Sequence, residues 1–174
     1  MNFIKKLSDI IEERIIPAPE EGKTSGMLYS PANGNAFDLG MVSGREHFFE
    51  GEAEAVAVIP TKGIVTSPCD GEVSEVFPQN NAISIKSDDG AGIIIHVGDA
   101  SQHIPENIFK RFVENGERIR AGQLLLSFDM EKFTENGCKN VIPMVLINSK
   151  EYSSVHTGRL GDVVNTDCVL TYER

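Results

Sequence analysis

The chain has no tryptophan, only three cysteines and no long run of apolar residues. The cysteines, Cys69, Cys138 and Cys168, lie far apart and form no C-x-x-C or other zinc-binding pattern. Separated thiols in odd number suit a reducing compartment, so we expect a cytoplasmic protein. No apolar run approaches the roughly 18 residues that a membrane-spanning helix needs, and we expect no cleavable signal.

Positive charge is also scarce, because 16 lysines and arginines stand against 26 aspartates and glutamates, for a net charge of −10. Nucleic-acid phosphates are bound by clustered basic residues, so we predict no nucleic-acid partner. The same deficit argues against docking of the whole surface on anionic lipid. With 174 residues, 40% of them hydrophobic and 24% charged, the composition is that of a globular protein with one β domain.

Near the N-terminus, apolar residues recur at helical spacing, at Phe3, Ile4, Leu7, Ile10, Ile11 and Ile15. This predicts a short amphipathic helix over residues 1–16 that ends before Pro17. Its polar face mixes both charge signs, so we expect at most weak peripheral membrane contact through residues 3–15. Residues 17–27 have the composition of a linker, and residues 28–174 form the predicted β domain.

Short apolar runs separated by glycine and proline follow from residue 27 onwards, without a long helical period. They predict an all-β fold, an antiparallel β-sandwich or barrel-like structure of the barrel-sandwich hybrid type with a few short helical turns. We expect helical turns within residues 105–113 and 130–136 and a long loop over residues 33–50. The strands are predicted at residues 27–29, 55–59, 63–66, 72–77, 81–86, 93–96, 141–147 and 168–172.

One strand ends in a histidine. Three consecutive isoleucines, Ile93 to Ile95, precede His96, and Gly98 follows two residues later. Such an apolar run indicates a strand buried on both faces or nearly so. The glycine permits close approach of the backbone to a partner. On the strand alone, a satisfied core histidine is the simpler interpretation; the preceding residues favour a functional one.

The preceding residues predict a hairpin, because residues 81–86 alternate apolar and polar and Ser87 to Gly90 supply turn residues. If Asp88 and Asp89 form a two-residue loop, Asn81 lies directly opposite His96 with Cβ atoms about 5 Å apart. A two-residue slip would place Ile83 there instead. A one-residue slip is disfavoured because it would turn the strand over. The pattern predicts a neutral amide beside the imidazole.

From Val58 to Phe128 the sequence resembles the glucose-type (glucose/sucrose-class) enzyme IIA of the bacterial sugar phosphotransferase system. The resemblance rests on Ile59-Pro60-Thr61, Ser67 to Gly71, Phe77, Asn80-Asn81-Ala82, Ser84-Ile85, Ser87 to Gly90, His96-Val97-Gly98, Phe109 to Arg111, Asn115 to Glu117, Gly122, Phe128-Asp129 and Val141 to Asn148.

The resemblance implies the β fold and a phosphotransferase role without a cofactor. In that family, the histidine at the position of His96 accepts a phosphoryl group from the histidine-containing phosphocarrier protein and passes it to a sugar-specific membrane component. The expected binding residues around it are Phe77, Ile83, Val97 and Gly98.

Several positions depart from the family. Asn81 stands where the family has a second active-site histidine, and after His96 only the hydroxyl of Ser101 is kept in kind. An amide donates a hydrogen bond but carries no proton to a substrate. We therefore expect acceptance at His96 to survive better than onward transfer, with Asn81 and Ser101 as candidate donors to the phosphoryl oxygens.

Three alternatives are weighed against the carrier role. A regulatory binding module of the same fold with impaired transfer is the main one. A zinc peptidase of the related barrel type needs a His-x-His pair, which is absent, so we predict no metal. A lipoyl or biotinyl carrier needs a lysine, usually next to methionine, in an exposed hairpin that here holds two aspartates. The other histidines, His47, His103 and His156, are expected to be solvated.

Overall fold

The structure, a computed structural model, describes residues 26–41, 53–99 and 104–173. These ranges form mostly antiparallel β structure, which confirms the predicted fold class. The strands are β1 (Met27–Tyr29), β2 (Gly34–Asp38), β3 (Glu54–Pro60), β4 (Ile64–Thr66), β5 (Gly71–Val76), β6 (Ala82–Ser87), β7 (Gly92–His96), β8 (Phe109–Arg111), β9 (Arg118–Ile119), β10 (Leu124–Phe128), β11 (Ile142–Leu146), β12 (Ser154–Thr157), β13 (Gly161–Val163) and β14 (Cys168–Glu173).

Helical structure is short. The helix α1 (Met130–Glu135) is capped by the Asp129 side chain, which accepts a hydrogen bond from the Lys132 amide, and Gly137 with φ 76° follows it. In the ranges that the structure describes, 3₁₀ turns cover Leu39–Met41, Glu106–Ile108 and Ser149–Glu151. Among the described residues, no helix is long and apolar enough to cross a membrane.

The strands described here, β1 to β14, form three sheets. The largest has the order β13-β2-β3-β11-β7-β6-β5-β9, and two three-stranded sheets have the orders β1-β14-β12 and β4-β10-β8. The strand that ends at His96 is therefore central, with β6 on one side and β11 on the other. Both neighbours run antiparallel to it, so every register position along β7 has a defined partner on each side.

The two faces of this sheet are both covered near His96. The main core takes Ile93 and Ile95 of β7, both fully buried, together with Ile83 and Ile85 of β6. The opposite face carries a second, smaller apolar cluster, formed by Leu39, Ala55, Ala57, Val141 and Val145 with Phe37 and Ala53 packed against it. The prediction of a strand buried on nearly both faces is confirmed, since Ile94 alone of the three isoleucines is half-buried.

Some predicted elements were wrong. Residues 33–50 were expected to form a loop, but Gly34–Asp38 is a full strand between β3 and β13. Of the helical turns predicted within residues 105–113, one is present as the 3₁₀ turn Glu106–Ile108, and the chain then continues as β8. The predicted N-terminal helix and most of the predicted linker lie outside the described residues. Met27, the last residue of the predicted linker and the first of the strand predicted at residues 27–29, begins β1.

The tip of the β6–β7 hairpin is fixed by one carboxylate. Asp89 accepts hydrogen bonds from the Gly26 amide at 2.9 Å, from the Tyr172 hydroxyl at 2.9 Å and from the Ser87 hydroxyl. Burial pushes the pKa of Asp89 up, but the hydrogen bonds from Ser87, Gly26, Tyr172 and Ala91 outweigh it and leave the pKa below its ordinary value. The ionised carboxylate thus joins the hairpin to β1 and β14.

Candidate phosphoryl-acceptor site

His96 is the last residue of β7 and lies on the sheet face that carries the smaller apolar cluster. Its strand neighbours Ile95 and Val97 are fully buried on the main-core face, so alternation along the strand places His96 on the other side. The residue exposes 7% of its surface. The imidazole is therefore set at a strand end within a largely water-excluded part of the sheet.

The register across the hairpin differs from the predicted one by a single residue. Ala82, and not Asn81, pairs with His96, and Ile83 pairs with Ile95. The loop has three residues, because the Ser87 amide donates to the Ala91 carbonyl at 2.9 Å. Gly90, with φ 92°, supplies the left-handed third position that such a loop requires.

The direct cross-strand neighbours of His96 are both apolar. On β6 the neighbour is Ala82. On β11, Met144 pairs with Ile95, so the next position places Pro143 opposite His96. Because neither side chain has a polar atom, any side-chain partner of the imidazole must come from beyond these two positions.

Phe77 belongs to the same row of residues. Its amide donates to the carbonyl of Ala82 at 3.0 Å, which places Phe77 two strands away from His96 on the same face. Strands lie about 4.8 Å apart, so the two side chains are about 10 Å apart across the sheet. Phe77 is half-buried and remains a candidate contact for a partner docked over His96.

Asn81 lies one residue before Ala82, the residue that pairs with His96. Its carbonyl accepts a hydrogen bond from the Val97 amide at 2.8 Å, so its ladder partner is Val97 and the predicted pairing with His96 was wrong. Asn81 precedes the first residue of β6 and follows Asn80, which has a left-handed φ of 56°. It is half-buried at the end of the sheet where β7 ends.

Gly98 lets the chain turn directly behind the histidine. It has φ 82°, its amide donates to the Val141 carbonyl at 2.8 Å, and a Cβ there would lie 2.6 Å from Cζ of Phe133. Phe133 is fully buried and makes edge-on ring contacts with Phe109 and Phe128. Only glycine combines this backbone conformation with such a close approach to another side chain. Gly98 therefore allows the chain after β7 to pack directly against Phe133 of α1.

The other sequence-predicted site residues fall in different places. Ile83 and Val97 are fully buried on the main-core face, so they support the site from beneath and do not contact a bound partner. Ser101 lies outside the described residues, as do His47 and His103. His156 is exposed on β12, as expected.

A set of apolar residues was missed because the stretch that contains Phe37 was interpreted as a loop. Exposed apolar side chains that belong to or adjoin the face that carries His96 include Met41 at 85%, Ile59 at 52% and, next to β13 and four strands from β7, Leu160 at 43% exposure. Ile59 follows Val58, which pairs with Ile142, so Ile59 lies beside Val141 of the smaller cluster. We call these three residues the apolar rim. The alternation of buried Val58 and exposed Ile59 along β3 is the feature that could have identified Ile59 as part of this rim.

Metal ligation and thiol chemistry find no support in this part of the chain. The described residues contain no group of three or more histidines, cysteines, aspartates and glutamates that could hold a metal ion. Burial, followed by the carboxylates of Asp89, Asp70 and Asp88, raises the pKa of the Cys69 thiol. A buried thiol of raised pKa is inert as a nucleophile.

Residues 26–152 match the sequence model of a protein family described as phosphoenolpyruvate-dependent sugar phosphotransferase system, EIIA 1. The chain belongs to this family. Within it, a glucose-specific EIIA component from Bacillus cereus is 36% identical over 104 residues, which cover 60% of this chain and 63% of that protein. A glucose-specific EIIA component from Borreliella burgdorferi is 27% identical over 152 residues, with 84% of this chain and 80% of that protein covered.

EIIA sequences of this family also occur within longer chains. An N-acetylglucosamine-specific EIICBA component from Klebsiella pneumoniae is 31% identical over 147 residues, which cover 84% of this chain and only 23% of that protein. Among solved structures, the glucose permease IIA from Mycoplasma capricolum superposes with a TM-score of 0.70 at 20% identity, covering 83% of this chain and 93% of that one. At this identity the structural likeness shows the EIIA fold alone.

Proposed function

We propose that this EIIA-family protein is a cytoplasmic phosphohistidine carrier of sugar uptake. It accepts a phosphoryl group on His96 from the histidine-containing phosphocarrier protein and passes it to a sugar-specific membrane component. The observation that carries the proposal is the position of His96, at the end of a central strand, between two apolar neighbours and beside Gly98. Family membership supplies the class of reaction.

The proposed step exchanges one nitrogen–phosphorus bond for another. A ring nitrogen of neutral His96 attacks phosphorus with its lone pair, while the bond between phosphorus and the donor histidine breaks and its electron pair returns to the donor ring. The other nitrogen of His96 keeps its proton, so the phosphorylated ring carries a positive charge. A site that is only 7% exposed limits the access of water to this reactive bond.

Docking is assigned to the face around His96. The apolar rim of Met41, Ile59 and Leu160, together with Phe77 on the other side of β7, offers a partner an apolar contact surface that extends across the face of the acceptor. The net charge of −10 favours a partner whose docking surface is basic. We propose Ser101 and the Asn81 amide as donors to the phosphoryl oxygens; Asn81 would act from the end of the sheet, since its ladder partner is Val97 and not His96.

A second candidate function is a regulatory binding module that takes the phosphoryl group but transfers it poorly. Asn81 favours it, because an amide at that position neither carries a proton nor gains a charge. The ladder position of Asn81, paired with Val97 and not with His96, points the same way. In this alternative, phosphorylation of His96 changes partner binding and does not feed sugar transport.

Phosphoryl acceptance is tested by incubating the protein with phosphoenolpyruvate, enzyme I and the phosphocarrier protein and measuring acid-labile protein phosphate. We expect stoichiometric labelling that is lost in His96→Ala. His156→Ala is the matched control, because His156 is exposed on a different sheet, and it should label normally. Absence of label in the wild type, or label that persists in His96→Ala, would reject the carrier proposal.

Onward transfer separates the two candidates. Labelled protein is mixed with vesicles that contain a glucose-type membrane component, and sugar phosphate is measured over time. Formation of sugar phosphate supports the carrier, whereas stable label that never leaves His96 supports the regulatory module. Asn81→His should speed onward transfer by about tenfold or more, in line with the usual range for a positioned acid or base; an unchanged rate would remove position 81 from the site.

A further inference from the structure

A cavity of about 470 Å³ lies at the junction of two sheets, beside the first residue of β3. Its walls come from the start of β3, from the 3₁₀ turn Ser149–Glu151 and from the start of β12. The polar side chains that line it are Glu54, Ser149, Lys150, Tyr152, Ser153 and Ser154. The volume falls within the roughly 300–1,000 Å³ of small-molecule sites in proteins.

The cavity lies on the opposite side of the large sheet from His96. Ala57 stands in the register row of His96 and belongs to the smaller apolar cluster on that face. Side chains alternate along a strand, so Glu54 lies on the side of Val56, which belongs to the main core together with Tyr152. Binding in the cavity does not depend on the proposed function, because none of its residues belongs to the phosphoryl-acceptor site.

Hydrogen bonds and ring packing fix one wall of the cavity. The Tyr152 amide donates to the Ser149 carbonyl at 3.2 Å, which closes the 3₁₀ turn. The Tyr152 ring packs on the Tyr172 ring with 4.5 Å between their centroids, and the Tyr172 hydroxyl donates to Asp89 at 2.9 Å. A ligand therefore meets a preformed wall, which lowers the ordering cost of binding.

One hydroxyl group of the cavity lacks a partner. Within the described residues, Ser154 Oγ is buried and has no hydrogen-bond partner. Buried polar groups in native proteins are almost always hydrogen-bonded, and an unpaired one is destabilising. Ser154 is the first residue of β12 and lines the cavity, so rotation about its Cα–Cβ bond to another staggered position turns the hydroxyl towards a bound molecule. This unpaired hydroxyl beside a cavity indicates a polar ligand.

The lining favours a neutral ligand with several hydroxyl groups. The charged side chains that line the cavity, Glu54 and Lys150, are exposed and of opposite sign, so the lining as a whole favours neither a cation nor an anion. The hydroxyls of Ser149, Ser153 and Ser154 can each donate and accept a hydrogen bond, and a ligand hydroxyl has the same dual capacity. A zwitterion would match the two charges but would leave the serine hydroxyls without matching groups.

We propose that this cavity is a binding site for a neutral polyhydroxylated molecule, such as a monosaccharide or a polyol. Glu54 accepts hydrogen bonds from ligand hydroxyls and Lys150 donates to them. The hydroxyl of Ser154 gains its missing partner. Ser153 donates its hydroxyl to the Glu173 carbonyl at 3.1 Å, so its oxygen remains an acceptor for the ligand.

The test measures binding to the full chain by NMR, with glucose, inositol, alanine and inorganic phosphate as probes. Glucose and inositol represent neutral polyhydroxylated ligands, alanine a zwitterion and phosphate an anion. We expect glucose or inositol, at millimolar concentrations, to shift the amide signals of residues 149–155 more than those of any other segment. Alanine and phosphate should leave these signals unchanged.

Ser154→Ala and Glu54→Gln test the two contacts. Each should raise the Kd of the neutral probe about threefold to tenfold, because each weakens or removes one hydrogen bond to the ligand. The matched controls are Ser74→Ala and Glu72→Gln, exposed positions on β5, four strands from β3 in the sheet, and they should leave the Kd unchanged. Ser154→Ala should also leave the urea midpoint of unfolding unchanged or raise it, because it removes an unpaired hydroxyl.

Binding of alanine or phosphate alone would overturn the class of ligand, and the absence of shifts at residues 149–155 with all four probes would reject the site. Equal losses of affinity in the β5 controls would reject it as well. A lower urea midpoint in Ser154→Ala would show that the hydroxyl has a structural partner and would overturn its role. Phosphoryl labelling of His96 is a separate measurement, so failure of either proposal leaves the other standing.

Discussion

Ala82 and His96 face each other across the β6–β7 ladder, and this pair sets what surrounds the acceptor ring. The methyl group of Ala82 is the smallest apolar side chain and brings no polar atom to the ring. The pair also gives a direct test of the register, because a charge placed at position 82 lies on the same face as the imidazole, about 5 Å away between Cβ atoms.

We predict that Ala82→Asp slows phosphoryl acceptance by His96 at least tenfold, because the carboxylate repels the incoming phosphoryl group. Ser84→Asp is the matched control: Ser84 lies on the same strand and face but pairs with Ile94, so the added charge is one row further away. Initial rates of labelling by the phosphocarrier protein give the comparison at fixed ionic strength. Equal slowing by the two substitutions would contradict the observed register.

Gly98→Ala is predicted to lower both stability and acceptance. Its left-handed backbone costs an L-residue about 1–2 kcal/mol, and the clash with Phe133 adds about 1–3 kcal/mol of overpacking. Gly116→Ala separates the two effects, since Gly116 has φ 79° and open space around its Cβ position. Urea unfolding should rank wild type above Gly116→Ala and Gly116→Ala above Gly98→Ala.

If Gly98→Ala proves no less stable than Gly116→Ala, the close approach of β7 to α1 does not constrain the site. Labelling rates then show whether the conformation behind His96 matters at all. A normal rate in a destabilised Gly98→Ala protein would mean that the ring is positioned by its ladder neighbours alone.

The hairpin was predictable in kind but not in register. Alternation over residues 81–86 and the turn residues were sufficient to identify two paired strands. The error came from the loop, which was taken as Asp88-Asp89. A two-residue hairpin loop favours left-handed residues such as asparagine and glycine, whereas Gly90 fits the third position of a three-residue loop. Giving Gly90 that position would have placed Ala82 opposite His96.

Strand β2 was not predictable from local sequence. Gly34 to Asp38 contains no β-branched residue, and its glycine and polar residues are typical of loops. Tertiary context overrides this preference, because β3 and β13 pair with the strand on both sides. At Gly34 a Cβ would lie 2.0 Å from the Ile59 carbonyl oxygen, so the glycine is explained by close strand packing and not by a turn.

Asp89→Asn tests how the hairpin tip supports the site. The pKa of Asp89 is lowered in the folded state, so the ionised carboxylate contributes stability above its ordinary pKa of 3.8, and this contribution is lost as the pH falls through the lower folded-state value. We predict that Asp89→Asn lowers the free energy of unfolding at pH 7 by about 1.5–3 kcal/mol, the usual range for a hydrogen bond to a charged group.

The control for Asp89 is its neighbour. Asp88 pairs with Arg118 at 2.7 Å in an exposed position, and removing such a pair costs about 0–1 kcal/mol. Unfolding measured from pH 7 to pH 3 should show that Asp89→Asn, but not Asp88→Asn, flattens the loss of stability below about pH 4. Parallel pH curves for wild type and Asp89→Asn would contradict the role of this carboxylate.

The apolar rim gives the last prediction. Ile59 exposes 52% of its surface beside the smaller apolar cluster, and a partner that docks over His96 would bury it. Ile59→Asp should therefore raise the KM for the phosphocarrier protein about tenfold, as loss of a good apolar contact does, while kcat changes little. Val164→Asp is the control, because Val164 is 48% exposed but follows β13, which lies two strands further from β7 than the strand of Ile59. Steady-state labelling over a range of phosphocarrier concentrations separates KM from kcat. Equal effects of the two substitutions on KM would indicate a general effect of added negative charge. That outcome would remove the apolar rim from the proposed docking surface.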